Sequence, residues 1–199
     1  MKTLIATLAL TLCAPLFAQA DAIPGQPAPA FDVKDASGKS QTLAALKGKW
    51  VVLEWTNKDC PYVKKHYSSK NMQGLQKTYT GKGVTWLTVI SSKKGEQGNL
   101  SPADALKVAK ENGSSSTAVL IDESGAMGKA YGAKTTPHMF VINPEGKVVY
   151  AGGIDDNDSA NSAVIAKSKN YVSAALDAGL AGKAIETASA RPYGCSVKY

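Results

Sequence analysis

Cysteine and histidine are scarce in this chain of 199 residues, which contains three cysteines and two histidines. So few cysteines exclude a small scaffold held together by many disulfides. No stretch approaches about 20 uninterrupted apolar residues, so we expect no membrane insertion. The formal net charge is +7, but acidic residues separate the lysines and no basic helix or basic aromatic patch is present. This pattern predicts a solvated surface and no nucleic-acid binding.

The N-terminal segment has the pattern of a secretory signal. Lys2 precedes an apolar run over residues 4–17, and the small-residue motif Ala-Gln-Ala follows at residues 18–20. We therefore predict a signal peptide over residues 1–20, cleaved after its last alanine, and export to the periplasm.

The remaining residues, 21–199, are predicted to form one domain, because this length is enough for a sizeable core and does not require two. Cys13 lies within the signal, so the mature chain keeps Cys60 and Cys195. An even pair of cysteines in an exported protein is a candidate disulfide. The oligomeric state is not predicted.

Apolar periodicity predicts strands that alternate with helices. The predicted strands cover residues 49–55, 84–90, 118–122, 139–142 and 148–151, and the predicted helices cover residues 61–79, 102–112 and 171–180. A small hairpin is predicted over residues 31–42, a helical turn over residues 44–46, and an extended tail segment without regular structure over residues 191–195. The order predicts an α/β fold in which helices flank a central mixed β-sheet, with an N-terminal β-hairpin extension and a C-terminal tail.

Cys60 stands between a predicted buried strand and a predicted helix. Pro61 occupies the first turn of that helix, where free backbone N–H groups and the helix dipole favour a thiolate. Lys64, Lys65 and His66 are expected to add positive potential. The location favours a reactive thiol over a buried structural cysteine, because the ends of strands in α/β sheets expose reactive groups.

These motifs resemble the redoxin branch of the thioredoxin superfamily. The segments that carry the resemblance are residues 25–29 (GQPAP), 46–49 (LKGK), 55–60 (WTNKDC) and 135–137 (TTP). Residues 60–67 (CPYVKKHY) and 192–199 (PYGCSVKY) are similar to a peroxiredoxin-like group with a single active-site cysteine. The resemblance implies a thioredoxin fold and thiol–disulfide oxidoreductase activity toward protein thiols or disulfides, or exchange with a reductant protein.

The resemblance also implies roles for individual residues. Cys60 matches the attacking thiol, Glu54 matches a buried acid beneath it, and Pro137 matches a cis-proline that faces it. Val63 stands where thioredoxins have the resolving cysteine, so Cys195 is the expected resolving cysteine. The residues that border this site, and are expected to bind the substrate, are Pro61, Tyr62, Thr136 and His138.

Two other functions stay open. A thiol peroxidase would have a threonine three residues before its cysteine, and Asn57 stands there instead. A binding module that holds a peptide or a metal ion is the non-enzymatic alternative, although Cys60 with His66 or His138 makes a weak soft-metal site. We predict no metal ion and no cofactor, and we interpret the acidic run at residues 155–158 as a solvated loop.

Overall fold

The computed structural model describes residues 21–199, so the predicted signal peptide and its cleavage site lie outside the described residues. The strands are β1 (Asp32–Lys34), β2 (Ser40–Thr42), β3 (Val51–Trp55), β4 (Thr85–Ile90), β5 (Ala118–Ile121), β6 (Thr135–Thr136), β7 (His138–Ile142), β8 (Val148–Gly152) and β9 (Cys195–Ser196). The helices are α1 (Pro61–Ser68), α2 (Asn71–Gly81), α3 (Pro102–Glu111), α4 (Ala126–Tyr131) and α5 (Tyr171–Leu180), and short 3-10 helices cover Ala44–Leu46 and Ser162–Lys167.

Five of these strands form a central sheet in the order β5-β4-β3-β7-β8. Strands β3, β4 and β5 run parallel to one another, whereas β7 pairs antiparallel with both β3 and β8. The hairpin of β1 and β2 forms a separate two-stranded sheet, which is the N-terminal extension. The predicted α/β architecture, with a mixed sheet and an N-terminal hairpin, is therefore confirmed.

Side chains of the central strand β3 alternate between two cores, as the two-residue repeat of a strand requires. Val51, Leu53 and Trp55 belong to a core that includes Met127 and Tyr131 of α4. Val52 belongs to the opposite core, which contains residues of α1, α2 and α5. Helices cover both faces, so β3 is buried along its whole length.

The helix predicted over residues 61–79 is two helices. Its apolar spacing continues across the junction, but Lys70 adopts a left-handed backbone with φ of 63°. Just before it, the Ser69 hydroxyl donates to the backbone carbonyl of Lys65 at 2.8 Å. A side chain that bonds to the last helical carbonyls competes with continuation of the helix, and periodicity alone does not detect this.

Two further elements differ from the sequence prediction. The tail was predicted to be irregular, but Cys195 and Ser196 form β9, which pairs antiparallel with Thr136 and Thr135. Helix α4 was not predicted. It is short, and glycines in the left-handed conformation flank it at both ends. Across residues 21–199, no helix has the length and apolar character needed to cross a bilayer.

Candidate active site

Cys60 lies at the N-terminus of α1, as predicted, and Pro61 is the first residue of that helix. Its backbone is extended, and its carbonyl accepts the first bond of the helix, from the N–H of Lys64 at 2.9 Å. The side chain is completely buried. The thiol therefore lies at the positive end of the helix dipole but out of contact with solvent.

Cys195 and the loop before β7 meet at this thiol. The Cys60 and Cys195 sulfurs lie 2.7 Å apart, although 135 positions separate the two residues in the sequence. The peptide bond between Thr136 and Pro137 is cis, and the Thr136 carbonyl oxygen lies 3.0 Å from the Cys60 sulfur. Four residues that the sequence singled out separately are thus brought together.

The two thiols have different acidities. Burial opposes ionisation of Cys60, but hydrogen bonds from the Cys195 thiol and the Val63 backbone N–H outweigh it and lower the pKa of Cys60. Burial and the neighbouring Cys60 sulfur raise the pKa of Cys195 to about 11. The Thr136 carbonyl can accept a hydrogen bond only from the protonated form of Cys60. The pair therefore has one thiol that ionises readily and one that retains its proton.

Glu54 is completely buried in the central strand, as the resemblance implied. Its carboxylate accepts hydrogen bonds from Tyr67 at 2.7 Å, Trp86 at 2.7 Å and Gln76 at 3.0 Å. Burial raises the pKa of Glu54 despite these donors. We call Glu54, Tyr67, Gln76 and Trp86 the Glu54 cluster. Among residues 21–199, no hydrogen bond joins this cluster to Cys60.

The expectation that His66 adds positive potential near Cys60 is wrong, and the Lys65 ammonium bonds to groups other than Cys60. Both side chains are buried, and His66 bonds through one ring nitrogen to the Tyr193 hydroxyl at 3.0 Å and through the other to Asn71 at 2.9 Å. Burial lowers the pKa of His66 to about 4, so the ring is neutral at pH 7. The Lys65 ammonium donates to the Asn157 carbonyl at 2.7 Å.

The interpretation of residues 155–158 as a solvated loop is also wrong at its first residue. Asp155 is buried, accepts a hydrogen bond from Tyr193 at 2.5 Å, and lies 3.5 Å from the Lys65 ammonium. We call Lys65, His66, Asp155 and Tyr193 the Tyr193 cluster. An isolated buried charge would be costly, and here each charged group has a partner.

Three of the residues predicted to bind substrate differ in their exposure and in their contacts. Pro61 is exposed, whereas Tyr62 is half-buried with its ring 5.8 Å from that of Tyr193. His138 follows the cis-proline but is buried, and its Nδ1 accepts the backbone N–H of Lys134 at 3.2 Å. Burial lowers the pKa of His138 to about 4, which leaves a neutral ring packed 4.5 Å from Phe140.

Sequence reasoning missed Tyr193 and Asp155 as residues of this region. For Tyr193, the available signals were its position two residues before Cys195 and its place in the segment of residues 192–199 that carries the resemblance. For the metal-binding alternative, residues 21–199 contain no group of three or more His, Cys, Asp or Glu side chains arranged to hold a metal ion. Both ring nitrogens of His66 are already engaged.

A buried thiol at a helix N-terminus, facing a cis-proline at one end of a mixed sheet, defines a thioredoxin-fold redox protein. The model of the AhpC/TSA family matches residues 24–151. The chain therefore belongs to the AhpC/TSA family.

Individual proteins are similar to this chain in sequence and in structure. The chain is 32% identical over 157 residues to the thiol-disulfide oxidoreductase ResA of Bacillus subtilis. The matching region covers 75% of this chain and 78% of ResA. An uncharacterized conserved protein from Geobacillus kaustophilus is 28% identical over 89% of this chain and 93% of its own, with a TM-score of 0.74. A putative thiol:disulfide interchange protein DsbE from Chlorobium tepidum is 26% identical over 64% of this chain and 83% of its own, with a TM-score of 0.52.

Proposed function

We propose that this protein is an exported thiol–disulfide oxidoreductase that cycles between a Cys60–Cys195 dithiol and the corresponding disulfide. The observation that carries the proposal is the 2.7 Å separation of the two sulfurs beside the cis-proline. The similarity to ResA, a thiol-disulfide oxidoreductase, supports the same reaction class.

The different acidities of the two thiols assign a role to each. The Cys60 thiolate attacks one sulfur of a substrate disulfide, forms a mixed disulfide and expels the first substrate thiolate. Cys195 then attacks the Cys60 sulfur, and its proton leaves with the second substrate thiol. The substrate gains two electrons, and the enzyme is left with a Cys60–Cys195 disulfide that a reductant protein must reduce.

The loop before Cys60 favours this reaction over peroxide reduction. Asn57 occupies the position where a peroxidase would have threonine, and its amide is used within the loop. It donates to the Gln97 carbonyl at 3.2 Å and accepts from the Asp59 N–H at 2.9 Å. A hydroxyl that could assist a peroxide at Cys60 is therefore missing from this position.

The first test is peptide mapping of protein purified without reductant, combined with reduction of a peptide disulfide and of a hydroperoxide. We expect a Cys60–Cys195 link, exchange with the peptide disulfide, and no exchange by Cys60→Ser. Cys195→Ser should accumulate the mixed disulfide on Cys60. Two free thiols, or turnover of the hydroperoxide alone, would contradict the proposal.

The second test titrates the Cys60 thiolate through its ultraviolet absorbance. The wild type should ionise below the ordinary thiol pKa of about 9.0, because the Cys195 thiol donates to the Cys60 sulfur. Cys195→Ala removes this donor and should raise the midpoint, whereas Cys195→Ser keeps a donor and should raise it less. Equal midpoints for all three proteins would show that Cys195 does not tune Cys60.

Export is part of the proposal and rests on the signal pattern of residues 1–20. The mass of the protein recovered from the envelope fraction of the producing cells should correspond to a chain that starts at Asp21. Recovery of the chain with its first 20 residues intact in the cytoplasm would contradict it.

A further inference from the structure

The C-terminal tail is held on both sides of Cys195. Before it, the Tyr193 side chain is buried, and its hydroxyl donates to Asp155 at 2.5 Å. After it, the Val197 N–H donates to the Lys134 carbonyl at 3.1 Å, and the Tyr199 hydroxyl donates to the Ala133 carbonyl at 2.7 Å. The last residues of a domain usually fray, so this number of contacts calls for a physical reason.

The contacts of Tyr193 connect the tail to the helix that begins at Cys60. Lys65 and His66 both lie on α1, and both meet the Tyr193 hydroxyl, at 3.4 and 3.0 Å. Because the other ring nitrogen of His66 faces the Asn71 amide, a neutral ring carries its proton on Nε2 and donates to Tyr193. The hydroxyl thus accepts from His66 while it donates to Asp155.

Gly194 makes the link from Tyr193 to Cys195 short and tightly packed. Its backbone has a φ of 129°, in the region that favours glycine, and a Cβ at this position would overlap the Thr136 carbonyl. Cys195 then pairs with Thr136 in the β6–β9 ladder. Only Gly194 therefore separates the buried Tyr193 from Cys195.

We propose that Tyr193 is a positioning residue that fixes Cys195 against Cys60, through its hydrogen bonds to Asp155 and His66. The inference rests on the proposed disulfide cycle and deepens it. Without such a connection, Cys195 would be held only from its C-terminal side, by the two-residue ladder and by the contacts of Val197 and Tyr199 that follow it. A group held in reacting geometry has a much higher effective concentration than one on a free chain. Tyr193 therefore raises the equilibrium constant for forming the Cys60–Cys195 disulfide.

The test measures the equilibrium constant of the Cys60–Cys195 disulfide against glutathione. Tyr193→Phe removes the hydroxyl but keeps the ring, and should lower the constant by about tenfold, the equivalent of one lost hydrogen bond. Tyr131→Phe is the matched control, because Tyr131 is also buried and donates to the Pro29 carbonyl at 2.7 Å in the opposite core. It should leave the constant unchanged even if it destabilises the fold.

A second readout does not depend on oxidation. Displacing Cys195 removes its hydrogen bond to Cys60, so Tyr193→Phe should raise the thiolate midpoint of Cys60 and Tyr131→Phe should not. If Tyr193→Phe does not fold, His66→Phe tests the same connection, because it removes the ring nitrogen that bonds to the Tyr193 hydroxyl. Constants within twofold of the wild type, with an unchanged midpoint, would overturn the positioning role. A wild type that forms no disulfide would overturn the proposed function itself, and the two failures are therefore distinct.

Discussion

The Glu54 cluster and the Tyr193 cluster both place a buried acid against α1, but the partners of the two acids differ in charge. Glu54 has no cation among its partners. It accepts from three neutral donors, and burial raises its pKa. Asp155 lies beside the buried ammonium of Lys65 and accepts from Tyr193. The first arrangement favours an uncharged acid, whereas the second depends on a charge pair.

The two clusters also connect different parts of the chain. The Glu54 cluster links α1 to the central sheet through β3 and β4, so it fixes the helix that begins at Cys60. The Tyr193 cluster links α1 to the tail that carries Cys195. We therefore expect one cluster to position the first thiol and the other to position the second. We also expect the clusters to respond differently to substitution and oppositely to pH.

The largest effect is expected from Asp155→Ala. The substitution leaves Lys65 buried without its anion and removes the acceptor of Tyr193. Loss of one partner from a buried pair costs about 3 to 5 kcal/mol in the free energy of unfolding. Urea unfolding at neutral pH measures it. The control is Asp177→Ala, which removes the partner of Lys82 in a largely exposed pair and should cost less than about 1 kcal/mol. Similar losses of unfolding free energy in Asp155→Ala and Asp177→Ala would contradict the distinction between the buried and the exposed pair.

The next effect is acid sensitivity of the Tyr193 cluster through His66. Folding lowers the pKa of His66 from 6.5 to about 4, so the folded state binds fewer protons than the unfolded state between these values. Its stabilising contribution is complete above pH 6.5 and is lost as the pH falls toward 4. Relative to His66→Gln, the wild type should lose up to roughly 3 kcal/mol of unfolding free energy over this range. Parallel pH profiles of the two proteins would show that His66 does not titrate in this way.

The Glu54 cluster should show the opposite sign and a smaller effect. Folding raises the pKa of Glu54 above 4.5, so the unfolding free energy falls as the pH rises from 4.5 through the folded value. Glu54→Gln cannot ionise and should remove this fall, which amounts to about 1.4 kcal/mol for each unit of the pKa shift. Glu123→Gln, at an exposed position, is the control. A wild type that stays as stable as Glu54→Gln across this range would show that burial does not penalise the Glu54 charge.

The accuracy of the sequence predictions depended on whether their signals were local. Helix α3 agrees closely, because Ser101 accepts the N–H of Asp104 and Pro102 takes the first helical position, as the residue pattern indicates. The break at Lys70 was missed, because it depends on a single backbone conformation that leaves the apolar spacing unchanged. The β6–β9 pairing was missed, because two-residue strands carry no periodicity.

By itself, the sequence determined the α/β architecture, the strand that buries Glu54 and the position of Cys60 at the start of a helix. These features follow from apolar periodicity and helix-start residues, which act over a few positions of the chain. Only the tertiary structure decided that Cys195 lies 2.7 Å from Cys60, that His66 is neutral and that Asp155 is buried beside Lys65. Distances and charge states of this kind depend on contacts between residues far apart in sequence, and on the burial that those contacts produce.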